Sequence, residues 1–114
     1  MVHGDSEERL IKNIRNFMRS ADKIYETEDY TSSAVLYFKA LFSVLDLIVL
    51  REKGFIPKDH SDRFRILQKD FSELYIIIDK RFHIYQGSYK GSIEKEACDR
   101  LKEDVETIIK EQNI

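Results

Sequence analysis

The segment from Tyr85 to Gly91, which reads Tyr-Gln-Gly-Ser-Tyr-Lys-Gly, carries the side chains best suited to bind a ligand. Tyr85 and Tyr89 have rings on which a nucleobase can stack, and Lys90, together with Arg81 upstream, can hold a phosphate. The two glycines free the backbone to turn. The segment therefore predicts a nucleotide or RNA contact. A plain helix-to-helix turn, whose tyrosines pack on the end of a bundle, explains the same residues.

Two histidines are further candidates, because imidazole titrates near neutral pH. His83 shares a predicted polar helix face with Asp79 and Lys80, which either binds phosphate, supplies a weak base or simply faces solvent. His60 stands beside Asp59, either facing a ligand or helping to start a helix, and the structural interpretation is favoured. The histidines lack zinc-ligand spacing and there is one cysteine. No metal, cofactor or catalytic residue is predicted.

The run from Ala34 to Leu50 is apolar except for Lys39, Ser43 and Asp46, which form one narrow stripe of a helix. Because an unpaired buried charge is costly, Lys39 and Asp46 are predicted to form hydrogen bonds or an ion pair at a subunit interface. A helix this apolar is buried nearly all round, which favours a homodimer. A membrane span is disfavoured, because both charges would lie in the bilayer.

Composition limits the class of protein. The 114 residues suffice for one domain, 1–114, and 42% hydrophobic side chains suffice for one core. With 19 Lys and Arg against 21 Asp and Glu, the net charge of −2 argues against dedicated DNA binding, which needs an excess of positive charge. One cysteine excludes an internal disulfide, and no apolar leader is visible, so a cytoplasmic location is expected.

Glycine and proline are sparse, with four and one in the chain, which favours long helices over strands. Apolar residues three and four apart predict an all-α, up-and-down bundle of four or five helices. The predicted helices span residues 6–26, 31–53, 60–69, 71–86 and 92–112. Their bounds follow from a helix start near Asp29, N-caps at Asp59, Asp70 and Ser92, and a C-terminal Gly54.

Three features of the sequence together resemble the HEPN superfamily of small prokaryotic helical proteins. They are an aromatic-rich helix start from Ala34 to Phe42, a Lys-Gly break followed by a histidine from Lys53 to His60, and a tyrosine-rich junction from Arg81 to Tyr89. The resemblance implies a helical bundle, commonly dimeric. Many members of that superfamily act on RNA or accompany a small nucleotidyltransferase, often as toxin–antitoxin pairs.

The active members that this chain resembles carry an arginine followed, after four to six residues, by a histidine. Counted from Arg81, those positions hold Gln86, Gly87 and Ser88, and His83 comes too early. The sequence therefore predicts a dimeric binding module that contacts nucleotide or RNA around Arg81 to Lys90, with a small nucleotidyltransferase as a candidate partner. The alternatives are a divergent ribonuclease, using Arg81 with His83 or His60 across a dimer, and a purely structural dimer.

Overall fold

A computed structural model of the chain describes residues 4–114, in which five helices follow one another without a strand. The all-α bundle predicted from the apolar periodicity is confirmed. The helices are α1 (Gly4–Tyr25), α2 (Tyr30–Lys53), α3 (His60–Asp70), α4 (Ser72–Gly87) and α5 (Lys95–Glu111). His3, to which the sequence assigns no function, lies outside the described residues.

Helix α2 is the centre of the bundle, because α1 and α5 both pack along it and α4 also contacts it. Fourteen of its 24 residues are buried. The chain's own helices therefore cover the apolar circumference of α2, and this helix does not by itself require a second subunit. The homodimer remains a prediction, and it needs a contact surface other than α2.

By length and composition alone, α2 could cross a membrane. Its most apolar 18-residue window has a mean hydropathy of 1.9, but 78% of that window is buried inside the bundle. A helix that is apolar nearly all round and covered by its own chain is a core helix. The bundle thus accounts for the apolarity of α2.

Two predicted helix starts and one predicted helix end are confirmed. At α2, the Asp29 carboxylate accepts a hydrogen bond from the Ser32 backbone N–H at 3.1 Å, and at α3 Asp59 accepts one from Asp62 at 2.8 Å. Each bond satisfies an amide that has no partner within its helix. Gly54 ends α2 with φ of 87°, a left-handed conformation that residues with a Cβ adopt at a cost.

The predicted N-cap at Asp70 is wrong. Asp70 is the last residue of α3, and its carboxylate lies 3.3 Å from Lys53 Nζ. Only Phe71 separates α3 from α4; its N–H donates to the Leu67 carbonyl at 2.8 Å and its carbonyl accepts from Tyr75 at 2.9 Å. Phe71, which packs against the core, therefore ends α3 and begins α4, and no side chain caps the start of α4.

The predicted N-cap at Ser92 is also wrong, because α5 begins three residues later at Lys95. Ile93, which directly follows Ser92, is buried, and its N–H donates to Thr31 Oγ1 at 2.8 Å. This bond ties the connection to the start of α2. The extended Glu94 then provides the first carbonyl of the helix, which accepts from Cys98.

Candidate functional site

Tyr85, one of the predicted site residues, lies in a cluster of aromatic rings from α2, α3 and α4, called here the aromatic cluster. Its ring centroid is 5.3 Å from that of Phe38, 5.6 Å from Phe42 and 5.7 Å from Phe82. His60, the first residue of α3, adds its ring 4.7 Å from that of Phe42. Phe38 and Phe42 are one turn apart on α2, as are Phe82 and Tyr85 on α4, so helical spacing brings the two pairs together.

His60 is held with one ring nitrogen as a hydrogen-bond acceptor. Arg63 Nη1 lies 2.6 Å from His60 Nδ1, and a guanidinium can only donate. The proton of the neutral ring must therefore sit on Nε2. Burial, followed by the positive charge of Arg63, lowers the pKa of His60 below its ordinary value. The ring is consequently a neutral N–H donor toward solvent rather than a base at Nε2.

Asp46, the buried end of the predicted polar stripe, forms its ion pair within its own chain. Arg63 Nε and Nη2 donate to the two carboxylate oxygens of Asp46 at 2.7 and 3.0 Å. Asp46 was predicted either to form hydrogen bonds or to form an ion pair at a subunit interface, and the structure shows hydrogen bonds within the chain. Lys39, seven residues earlier, is exposed, so the stripe runs from solvent into the core.

Sequence reasoning missed Arg63, which connects Asp46 to His60. Its position did carry a signal. Ile66 and Leu67 are the buried apolar residues of α3, and Arg63 lies three and four residues before them, on the same inward face. Burying either charge is costly unless the opposite charge is beside it. An arginine on the inward face of α3 and a carboxylate on the buried helix α2 are therefore expected to pair.

The second predicted tyrosine, Tyr89, extends the aromatic cluster to the surface. Tyr89 is 76% exposed, and its ring meets that of Tyr85 edge to face with the centroids 5.7 Å apart. The Tyr89 hydroxyl donates to the Tyr85 hydroxyl at 3.2 Å. Tyr89 is therefore exposed but oriented by its neighbour.

The two tyrosines border a groove of about 370 Å³ between the start of α2 and the end of α4, called here the tyrosine groove. Its other residues are Thr31, Ser32, Val35, Leu36 and Ser88. A volume of this size falls within the range of small-ligand sites. The groove combines aromatic and aliphatic walls with three hydroxyl groups, a composition that suits a flat ring carrying polar edges.

Arg81, another predicted site residue, does not join the two tyrosines. Arg81 points to α5, where its Nε donates to Asp104 Oδ2 at 2.6 Å. Its side chain is only 17% exposed, so this ion pair ties α4 to α5. His83 and Lys90 are both exposed. The structure thus places Tyr85, Tyr89 and His60 in one neighbourhood and turns Arg81 away from it.

Within residues 4–114, no three His, Cys, Asp or Glu side chains are grouped so that they could hold a metal ion. No family model matches the chain, and no curated protein or solved structure matches it either. Over the residues that the structure describes, the chain is an all-α bundle of five helices. The resemblance to the HEPN superfamily, the toxin–antitoxin role and the cytoplasmic location remain predictions from the sequence.

Proposed function

We propose that the chain binds a nucleobase together with its phosphate, as in a nucleotide or a single-stranded RNA, at the tyrosine groove. The supporting observation is Tyr89, a residue that is 76% exposed and whose ring is nevertheless held at 85° to the ring of Tyr85 by contact and by a hydrogen bond. Because the Tyr89 ring is exposed, its apolar area contributes little to the stability of the fold. Because the ring is already held in one orientation, a base can stack on it with little further loss of side-chain freedom.

Stacking is the interaction that such a ring offers most readily. Every base has a flat π face, and stacking of one base on an aromatic side chain contributes about 1 to 3 kcal/mol. The hydroxyl groups along the groove can bond to base edges, and Ser32 is exposed at the groove. Ser88 is less free, because its hydroxyl donates to the Tyr85 carbonyl at 2.6 Å.

The phosphate would be met by lysines rather than by a helix end or an arginine. The carboxylate of Asp29 already occupies the amide at the start of α2. Arg63 is neutralised by Asp46, and Arg81 by Asp104. Lys90 follows Tyr89 directly and is exposed. Lys39 is the second cation.

The position of Lys39 follows from helical spacing. It lies on the face of α2 that carries Ser32, Val35 and Leu36, three of the residues that border the tyrosine groove. Its side chain is exposed. A phosphate leaving the groove along α2 would therefore meet Lys39, and one leaving toward the end of α4 would meet Lys90.

The ribonuclease alternative would need different contacts. Arg81 is engaged by Asp104, and His60 Nδ1 is engaged by Arg63. A general base must have an accessible lone pair near the 2′-hydroxyl, and the neutral His60 presents an N–H there instead. Analysing the binding reactions on a sequencing gel tests this alternative, since shortened RNA would reveal cleavage.

The proposal is tested by fluorescence anisotropy with a dye-labelled, mixed-sequence single-stranded RNA, with unlabelled AMP as competitor. Tyr89→Ala should weaken binding about 5- to 150-fold, the equivalent of about 1 to 3 kcal/mol of stacking. Tyr89→Phe should retain most of the affinity, because it keeps the ring.

The matched control is Phe55→Ala. Phe55 is also an exposed aromatic residue, at 48%, but it follows the opposite end of α2 from the tyrosine groove. This variant should bind as the wild type does. Equal affinity of Tyr89→Ala and wild type, or no binding of either probe by the wild type, would overturn the proposal.

A further inference from the structure

A second groove, called here the charged groove, lies between α1 and α5 and is lined by none of the residues of the tyrosine groove. Side chains connect the two helices at both ends of the groove. At one end the Tyr25 hydroxyl donates to Asp99. At the other end Arg51 donates to Glu7 and to the Gln112 carbonyl. The open space of the groove is about 530 Å³, a volume within the range of small-ligand sites.

The floor of the charged groove is apolar and contains no ring. It is formed by Ile14, Met18, Ile109 and Ile114. Only Ile14 is buried, so the other three side chains leave apolar area in water, and covering that area is favourable. Aliphatic side chains and a flexible thioether can adapt to a chain-like molecule, but they offer no face on which a flat base stacks. The floor therefore suits an aliphatic chain.

Most of the charges on the rim of the charged groove are offset within their own helix. Residues three or four apart on a helix lie side by side, so opposite charges at that spacing attract each other. Three such pairs line the groove: Arg19 with Asp22, Lys23 with Glu26, and Glu106 with Lys110. Within residues 4–114 none of these six side chains forms an ion pair, yet each pair adds no net charge to the groove.

Arg15 is the remaining charge of the groove lining, and its neighbours on α1 do not offset it. The residues four and three positions before it are Ile11 and Lys12. The residues three and four positions after it are Met18 and Arg19. Two of these four neighbours are positive and none is negative. Arg15 is exposed and forms no ion pair within residues 4–114, so the groove carries one positive charge in excess.

We propose that the charged groove binds a fatty acid, with the aliphatic chain on the apolar floor and the carboxylate at Arg15. One carboxylate neutralises the single positive charge in excess, whereas a phosphate group with nearly two negative charges overcompensates it. A guanidinium also matches a carboxylate in shape, since it can donate two parallel hydrogen bonds to the two oxygens. The inference does not depend on nucleotide binding at the tyrosine groove.

Arg19 assists Arg15 in holding the carboxylate. It lies one turn further along α1, and its guanidinium is oriented because it donates to the Asn16 side chain at 2.6 Å. Like charges four residues apart repel each other and destabilise a helix. A carboxylate bound beside both arginines replaces this repulsion by attraction. The thermal midpoint of the protein should therefore rise when the acid is bound.

Isothermal titration calorimetry of the full chain tests the proposal, with octanoate, decanoate and dodecanoate as probes below their micelle-forming concentrations. One acid should bind per chain. Each added methylene should tighten binding about two- to fourfold, fourfold being the expectation for complete burial. Decyltrimethylammonium, which has a similar chain and a positive head group, should bind at least about tenfold more weakly than decanoate does.

Two variants separate the head-group contact from the floor. Arg15→Gln should weaken decanoate binding about fivefold or more and leave the dependence on chain length unchanged. Met18→Gln should instead reduce that dependence, because it places a polar group on the floor. The matched control is Arg100→Gln, an exposed arginine outside the groove lining, which should bind decanoate as the wild type does. Circular dichroism should show the same helix content in all three variants.

Competition with RNA distinguishes this groove from the tyrosine groove. Decanoate should leave the anisotropy of the bound, labelled RNA unchanged, because the two grooves share no lining residue. Displacement of the RNA would place the acid at the tyrosines and overturn the proposal. So would the absence of binding, several acids adsorbed per chain, an affinity independent of chain length, or equal affinities of Arg15→Gln and the wild type.

Discussion

The tyrosine groove differs from the charged groove, which lies between α1 and α5, in whether the nearby charges are paired within the chain. Beside the tyrosine groove, Arg63 is paired with Asp46, and Arg81 is paired with Asp104. Aromatic rings remain as the surface available to a ligand. In the charged groove the reverse holds, because the arginines and carboxylates of α1 are not paired with each other. There, charges remain available above an apolar floor.

This difference teaches how to judge a charged residue as a candidate for binding. A charge already paired inside its own chain has lost most of its attraction for a ligand, whereas an exposed charge without such a partner keeps it. Arginines next to tyrosines are for this reason weaker candidates here than the tyrosines themselves. Arg15 and Arg19 of α1 are exposed and form no ion pair within residues 4–114, so their charges remain available to a ligand.

The largest effect should come from breaking the buried pair that supports the aromatic cluster. The Asp46 side chain is only 12% exposed in the pair, and Arg63→Ala removes its partner. Removing one member of a buried ion pair costs about 3 to 5 kcal/mol in the free energy of unfolding. Urea denaturation followed by circular dichroism measures this loss.

A double variant shows whether the loss comes from the stranded charge. Asp46→Leu combined with Arg63→Met replaces both charges by apolar side chains, and such replacements are often neutral or stabilising. The double variant should therefore recover most of the stability that Arg63→Ala loses. If Arg63→Ala cost less than about 1 kcal/mol, the pair would contribute no more than an exposed ion pair does. The Asp46 carboxylate would then not be a stranded buried charge in the variant.

The salt dependence of RNA binding should separate the two grooves. With Lys39 and Lys90 as the two cations at the tyrosine groove, the plot of log affinity against log salt should have a slope no steeper than about −1.4 for a single strand. Lys90→Gln should reduce the slope by about 0.7. Arg15→Gln in the charged groove should leave it unchanged.

A steeper slope would contradict the separation of the two grooves. It would mean that further cations release counterions on binding, and a change of slope in Arg15→Gln would identify the charged groove as an RNA contact. The anisotropy titration at several salt concentrations decides between these outcomes. Because Arg15→Gln removes the same unit of positive charge as Lys90→Gln, comparing the two variants checks that the slope reports contacts rather than the overall charge of the chain.

The helices could be predicted from the sequence because they depend on local patterns. Apolar spacing located all five, and the caps at Asp29 and Asp59 follow from hydrogen bonds that reach only three residues along the chain. The caps at Asp70 and Ser92 failed because distant residues intervene. Lys53 engages Asp70, and Thr31 holds the connection after Ser92.

The candidate site was predictable to a smaller extent, for the same reason. Tyr85 lies in the last turn of α4, and Tyr89 lies in the hydrogen-bonded turn that follows the helix, so local spacing alone brings their rings together. The direction of Arg81 depends on Asp104, twenty-three residues away on another helix. The link between His60 and Asp46 depends on Arg63, whose role appears only when α2 and α3 are packed.

The smallest predicted effect is a pH dependence of stability that originates at His60. Burial and Arg63 lower its pKa in the folded protein below 6.5, its ordinary value. Four charged groups face the ring. The positive charges of Arg63 and Lys39 lower its pKa, and the negative charges of Asp46 and Asp59 raise it. The unfolded chain therefore takes up a proton at a higher pH than the folded chain does.

Stability should consequently fall as the pH falls through 6.5 toward the folded pKa, and it should be level above that window. Urea midpoints measured from about pH 8 down to about pH 5 cover this range, and they stay above the region in which carboxylates such as Asp62 begin to titrate. His60→Gln should flatten the decline, and His83→Gln provides the background for losing one histidine from the exposed surface. An equally steep decline in His60→Gln would show that the ring is not the group that resists protonation. The pH dependence of stability would then not support a neutral His60 ring that donates its N–H beside the tyrosines.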